Sequence, residues 1–512
     1  MARKKKINKG RTEKTTTEAI QPLRVLSRGD YLTAIILSTL TFVVYAFTAA
    51  PGVTLADSAD FQMGVLTLGI VHPPGYPLYT VLGHLFSLLP FGDPAFRVNL
   101  FSALWGSLCL GVLFLILKVL SIERIHAVFA ALFLGFTSVF WVQTGVAEVY
   151  SFNGFLIACI FFWILSYNRD KKKSQLYLIF LTTGLALSNH YPLVILSCVG
   201  LVFLLDRRDL QIGDFFKGLL YLGLGLTPYL YLFIQASNPD LEYNFGKNSD
   251  FGMVLDHILR RYYTDEHGGT ALDKLPLALA FLKAILTNFW FSGLFLFFGI
   301  GFSFLHKWKY RYSVLLAALF PSLGLILILT FPADEHYGAL FLAYLTPAFL
   351  FCAVFLAIGM QELMNSYVKK NIFQLSLLVF LLLSQVGFNF GAASHHNDKL
   401  EEIWATELLN SLEPNSVLFL CSPLPASHFI IYYVQLIKGI RPDVTLYDRW
   451  SWWTKQSLYG PEILFRRKDA VEYRKRLEYQ LINDSSRAIY YTCKNAVNEQ
   501  KMSFSPTPYL TT

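Results

Sequence analysis

Charge is scarce in this chain: Asp, Glu, Lys and Arg make up 15% of its 512 residues, against 54% hydrophobic and 16% aromatic. A soluble enzyme carries about a quarter charged residues, so that class is excluded. Cysteine is scarce too, at six. Cys109, Cys159, Cys198 and Cys352 fall within apolar runs, where they read as small packing residues. Cys421 and Cys493 lie in a more polar C-terminal part, where a disulfide is permitted if that part is extracytoplasmic. No internal repeat is visible, which weakens a transporter built from repeated halves. Nor is there a spaced set of metal ligands. Asp334, Glu335 and His336 in "ADEHYG" have suitable side chains, but consecutive residues point in different directions, and His395 and His396 are no stronger. Neither a metal nor a cofactor is expected.

The chain has long apolar runs instead. Segments near the roughly 20 residues that cross a hydrocarbon core recur from Tyr31 to Gly391, predicting a polytopic α-helical membrane protein. About eleven spans are expected, near 31–50, 98–118, 126–146, 150–167, 175–189, 191–205, 216–235, 283–304, 313–331, 337–360 and 372–392. The basic N-terminus leads into a run of full spanning length, which is expected to remain as an anchor. The formal net charge of +8 gathers in "MARKKKINKGR", "KVLSIER", "NRDKKK", "DRRD", "HKWKYR" and "VKK". If each cluster is cytoplasmic, an odd number of spans puts the C-terminus outside. These residues flank apolar runs and line no soluble face, so they read as orientation signals and not as a nucleic-acid surface.

Four parts follow. Residues 1–29 form a polar, Lys- and Thr-rich tail expected to be disordered. Residues 30–392 form the membrane body, with a first outer loop at 51–97 and further outer loops at 236–280 and 332–336. Residues 393–512 change to a charge-bearing composition, with "NSVLFLCS", "DVTLYDR" and "RAIYYTCK" as strand-like runs and "ASHFIIYYVQLIKG" as a helix candidate. That order predicts a small extracytoplasmic α/β domain.

Loop 51–97 is too apolar to be a free connection. "FQMGVLTLGIV" and "YPLYTVLGHLFSLLP" are amphipathic and too short to span, so they are expected to lie at the outer interface. Between them, Pro73, Pro74 and Pro77 of "HPPGYP" fix φ and remove three backbone donors, making a stiff wall. Asp57 and Asp60 precede this turn. Asp57 suits a helix N-cap with Asp60 at the third helical position. Alternatively, one of these carboxylates is a general base at the membrane boundary, where a charge carries a cost that function can justify. Glu148 in "TGVAEVYSF" falls on the same side, either as an end-cap or as an acceptor-binding acid. Arg260 and Arg261 in "ILRRYYTDEHGG", and Arg97 in "PAFRVNLFSALW", suit a lipid phosphate through paired hydrogen bonds; solvated or anchoring roles are the alternative. Asn189, His190 and Tyr191 occupy an outward break between two short spans. His72 and Tyr76 of the turn, with Asn189 and His190, complete the expected substrate-binding set.

The stretch "DSADFQMGVLTLGIVHPPGYPLYTVLGHLFSLLPFGDPAFRVNLFSALWG" resembles the opening signature of a family of polytopic membrane proteins, long catalogued as a domain of unknown function, that includes a eukaryotic protein O-mannosyltransferase. Weaker similarity continues through "AEVYSFN", "LALSNHYPLVIL" and "RRYYTDEHGG", and "EPNSVLFLCSPLPASHFIIYYVQLIKGIRPDV" resembles the segment after the spans in bacterial members. That family is similar to the C-type glycosyltransferase superfold, where an acidic residue of the first extracytoplasmic loop is catalytic and the donor is a sugar on a polyprenyl phosphate. The resemblance thus implies a catalytic role for Asp57 and, less directly, Asp60. Many relatives have a "GE" pair where this chain has Ala59 and Asp60, and a "GDND"-like run where it has "CSPLPAS".

Together these readings predict a membrane glycosyltransferase that moves a sugar, a hexose such as mannose, from a polyprenyl-phosphate donor to an acceptor hydroxyl of protein Ser/Thr or glycan. The expected setting is the outer face of a bacterial plasma membrane. A transporter or flippase of lipid-linked glycans is the alternative, and a scaffold presenting the C-terminal domain a third.

Overall fold

A computed structural model describes residues 23–246, 248–261, 275–324, 342–368, 370–420, 426–449, 458–459 and 470–492. The "ADEHYG" run at Asp334–His336, the two tail cysteines and most of the N-terminal tail lie outside these residues. The apolar runs form helices. The first is α1 (Arg28–Thr48), started by a capping box in which Ser27 and Asp30 satisfy each other's free amides. Two short helices, α2 (Asp57–Thr67) and α3 (Pro77–Ser87), fill the first loop. Then come α4 (Pro94–Val119), α5 (Arg124–Gly135), α6 (Ser138–Gly145), α7 (Val149–Asp170), α8 (Lys173–Leu201), α9 (Ile212–Leu226) and α10 (Leu230–Ala236). After α11 (Phe251–Ile258), the body is completed by α12 (Leu275–Phe289), α13 (Gly293–Leu305), α14 (Arg311–Leu319), α15 (Thr346–Tyr367) and α16 (Asn371–Ala393).

Among the described residues, eight helical segments are long and apolar enough to cross a membrane, or nine if α5 and α6, bent by 66°, make one span. The difference from the expected eleven lies in two places. The expected 313–331 span runs out of the described residues after 324. Two further expected spans, 175–189 and 191–205, are joined in the single helix α8.

Contacts show, however, that α8 doubles back. At one end of α7, Asn168 donates to the Leu204 carbonyl (2.7 Å) and accepts from the Asp206 amide (2.9 Å), while Lys171 pairs with Asp206 (2.6 Å). At the other end of α7, Asn189 donates to the Val149 carbonyl (3.2 Å). Both ends of α8 therefore meet one end of α7, and its middle meets the other. The turn falls at His190, whose φ and ψ of −151° and 82° are not helical. Two residues later Pro192 has no amide to offer the Ser188 carbonyl, and its ring disfavours helix in the residue before it.

These end contacts sort the body into two rims. At one, Arg24 and Arg124 each reach Asp30 (3.2 Å), and Arg169 donates to the Arg24 carbonyl (2.9 Å). At the opposite rim, the Ala50 amide donates to the Gly145 carbonyl (2.9 Å) and the His395 amide to the Thr48 carbonyl (2.8 Å). Small residues let the helices between the rims approach closely: a methyl added at Gly299 of α13 would collide with the Phe355 carbonyl of α15, and one at Gly359 with the Phe295 carbonyl.

Beyond α16, α17 (Leu400–Asn410) leads to β1 (Val417–Leu420), α18 (Ala426–Tyr432), β2 (Thr445–Asp448), α19 (Ala470–Asp484) and β3 (Ile489–Tyr491). The strands form a parallel sheet in the order β2-β1-β3, with Val417 opposite both Thr445 and Ile489. This part sits on the same rim as the first loop, where Lys438 pairs with Asp93 of the loop and with Glu402 of α17.

Candidate active site

Helix α2 begins at Asp57, so Asp57 is its first residue and not the N-cap expected from the sequence. The N-cap is Ala56, in a conformation with φ of 60° that L-residues rarely adopt, and no side chain caps the helix. Asp60, in the fourth helical position, is 1% exposed and serves no cap either. One of its oxygens accepts from the His72 amide (3.0 Å) and meets the His72 ring at Nδ1; the other accepts the Tyr243 hydroxyl. Both carboxylate oxygens are thus taken up within the protein. Asp57 differs: its side chain is 43% exposed, and its nearest ionic partner is His72 Nε2 at 3.9 Å. His72 thus stands between a buried carboxylate and an open one.

The turn that carries His72 is held in place by backbone pairing with the second loop. Ile70 donates to the Tyr243 carbonyl (3.0 Å) and accepts from the Phe245 amide (2.8 Å). His257 of α11 meets the Val71 carbonyl through Nε2 (2.9 Å) and Asn248 through Nδ1 (3.3 Å), and burial lowers its pKa to about 3. A neutral imidazole donating at Nε2 and accepting at Nδ1 fits both contacts. Behind α2, Gln62 accepts from the Thr54 amide (3.2 Å) and donates to Asn99 (2.8 Å), which in turn donates to the Ala50 carbonyl (2.8 Å). None of Tyr243, His257, Gln62 and Asn99 was marked by the sequence, because a single Tyr, His or amide side chain has no spacing that reveals its partner.

Glu148 stands at the N-cap position of α7 without making a side-chain cap. It faces α2, where Oε1 accepts from Ser58 (3.2 Å), while Oε2 is buried with no hydrogen-bond partner. Burial, reinforced by the Asp57 charge, pushes its pKa well above the usual carboxylate range. For His72, burial opposes the charged form, but Asp57 and the bond to Asp60 outweigh it and raise the pKa, against a smaller opposing effect of Arg260.

An aromatic wall completes the site. Tyr76 packs against His72 (ring centroids 5.0 Å apart) and His190 (5.7 Å), and His190 meets Tyr150 (5.6 Å) and Tyr344 (5.8 Å). Among the described residues, His190 Nε2 and Asn189 Oδ1 are buried without hydrogen-bond partners. The three expected arginines separate. Arg260, at φ 57°, lies close enough to act electrostatically on His72, His190 and Tyr344. Arg261 instead pairs with Asp256 (2.6 Å) on the surface, and Arg97 donates to the Leu89 carbonyl (2.5 Å); neither joins the cluster. Among the described residues no group of three or more His, Cys, Asp or Glu side chains could hold a metal ion. The arrangement offers an open carboxylate, a buried acid paired with a partly buried imidazole, a cation nearby and flat aromatic faces, which suits proton transfer beside a bound anion.

Comparison with known proteins supports the family resemblance read from the sequence. Residues 57–211 match the model of the Protein O-mannosyl-transferase TMEM260 N-terminal domain. The chain is 21% identical over 505 residues to Protein O-mannosyl-transferase tmem260 of Dictyostelium discoideum, with 87% of the chain covered. It is 25% identical over 436 residues to Protein O-mannosyl-transferase TMEM260 of Mus musculus, with 79% covered. In both cases the match spans 61% of the relative's own length. Both relatives are eukaryotic, so they lend no support to the expected bacterial plasma membrane. Among solved structures, ArnT from Cupriavidus metallidurans bound to undecaprenyl phosphate superposes with a TM-score of 0.51 at 11% identity, covering 91% of this chain and 90% of that one. This chain shares the fold of ArnT.

Proposed function

We propose that this chain is a membrane glycosyltransferase that takes a sugar from a polyprenyl-phosphate donor and places it, with inversion, on an acceptor hydroxyl of protein Ser/Thr or glycan. The observation that carries this reading is the contrast between Asp57, open and unsaturated, and Asp60, buried with both oxygens engaged. Asp57 is the base. As the acceptor oxygen bonds to C1, its proton passes to Asp57 and the C1–O bond to phosphate breaks, leaving the electron pair on the phosphate, through an oxocarbenium-like state. Arg260 neutralises the departing lipid phosphate. Glu148, Asn189 and His190 bind sugar or acceptor hydroxyls, and Tyr76 lies along the sugar. The names of the relatives point to mannose, and the lipid phosphate bound by ArnT supports the donor class.

The rim that carries Asp57 is extracytoplasmic and the rim of Arg24, Arg124, Arg169 and Lys171 cytoplasmic, which puts the basic clusters inside and the C-terminal sheet outside. The test is sugar transfer by the purified protein from a set of polyprenyl-phosphate hexoses to a protein and membrane extract, comparing wild type with Asp57→Asn. Loss of about 10²- to 10⁴-fold in the folded variant is expected for a general base. Equal transfer by both proteins removes Asp57 from this role. Movement of lipid-linked glycan across vesicles with no transfer replaces the enzyme with a flippase.

A further inference from the structure

The buried pair Asp60–His72 has no evident place in a direct displacement that needs only Asp57, Arg260 and bound substrates. Two acids, an imidazole and a phenol nonetheless stand in line. Tyr243 donates to one oxygen of Asp60, the other oxygen takes both the amide and Nδ1 of His72, and Nε2 of His72 points towards Asp57. The end of this line is anchored from outside the first loop, since Tyr243 packs against Phe429 of α18 (centroids 6.3 Å apart). We propose that His72, held by Asp60 and Tyr243, is a positioning residue: its Nε2, 3.9 Å from one oxygen of Asp57, orients that carboxylate and leaves the other oxygen for the acceptor hydroxyl. The inference rests on the role of Asp57 proposed above. A cation beside a carboxylate favours its ionised form, and Asp57 and Asp60 together raise the pKa of His72.

The groups facing His72 limit what else could produce the same effect. They are Asp57, Asp60 and Phe61 from α2, Tyr76 from the turn, Phe245 from the second loop and Arg260 beyond α11; His257 and His190 stand further back, and Glu148 acts on the same carboxylates from α7. Among the described residues, Arg260 is the other cation that acts on His72. It cannot replace His72 as a group aligned by Asp60.

Two measurements test this. The first needs no activity: histidine-labelled full-length protein, with the His72 signal identified by its absence in His72→Gln, is titrated by NMR. The midpoint of His72 should lie above the usual value of about 6.5 and fall in Asp57→Asn, in Asp60→Asn and, by less, in Tyr243→Phe. An unchanged midpoint in Asp57→Asn and Asp60→Asn overturns the coupling. The second is the pH profile of transfer. His72→Gln should move the acid limb of kcat/KM up by about one pH unit and lower kcat about tenfold or more, with the donor KM within about threefold. A lower kcat with an unmoved acid limb overturns the positioning role. If Asp57→Asn itself retains full transfer, the parent reading fails instead, and the two failures stay distinct.

Discussion

Asp57 and Asp60 are less than one helical turn apart, yet they occupy opposite environments, and the difference comes from neighbours remote in sequence: Tyr243 lies 183 residues beyond Asp60. Spacing alone marked the two acids as a pair; which one is saturated depended on a loop whose pairing with Ile70 no periodicity reveals. The same holds for the arginines. Arg260 and Arg261 are equivalent on paper, yet Arg260 acts electrostatically on His72 and His190 while Arg261 pairs with Asp256. Arg260→Ala should therefore raise the donor KM about tenfold or more, the loss of a charged hydrogen bond, while Arg261→Ala changes it by less than about twofold. Steady-state kinetics with varied donor separates the two. His72 also makes a stability prediction. Because its pKa is raised in the folded protein, its contribution is fully present below about pH 6.5 and is lost as pH rises through the folded value. The melting temperature of wild type should fall across that window, and that of His72→Gln should fall less, as read by thermal denaturation in detergent.

At the scale of elements, apolar runs of spanning length were legible because the lipid demands them. The break at Asn189–Tyr191 was legible too, as the polar step between two short apolar runs. The close pairing of α13 with α15 was not, since single glycines some sixty residues apart carry no signal until their backbones meet. Gly359→Val should push these helices apart, at a cost of about 1–3 kcal/mol typical of overpacking. A lowered melting temperature with an unchanged donor KM would agree, and an unchanged melting temperature would show that the contact yields freely. The turn of α8 puts His190 against Tyr76, Tyr150 and Tyr344. Straightening it with Pro192→Ala should therefore reduce transfer more than it reduces stability.

For the whole molecule, the basic clusters "KVLSIER", "NRDKKK" and "DRRD" meet at one rim through Arg124, Arg169 and the Lys171–Asp206 pair. Orientation can be read by labelling. In a background with Cys421 and Cys493 replaced by Ser, a Ser237→Cys variant should react with an impermeant maleimide in intact cells, and an Arg208→Cys variant only after permeabilisation. The reverse pattern would invert the topology. The central claim is a single displacement at C1 with Asp57 as base, and the anomeric configuration of the transferred sugar tests it most directly. NMR of the product made by the wild-type protein from a polyprenyl-phosphate sugar of known configuration should show the opposite anomer. Retention of the donor's configuration would require a second displacement and contradict this account.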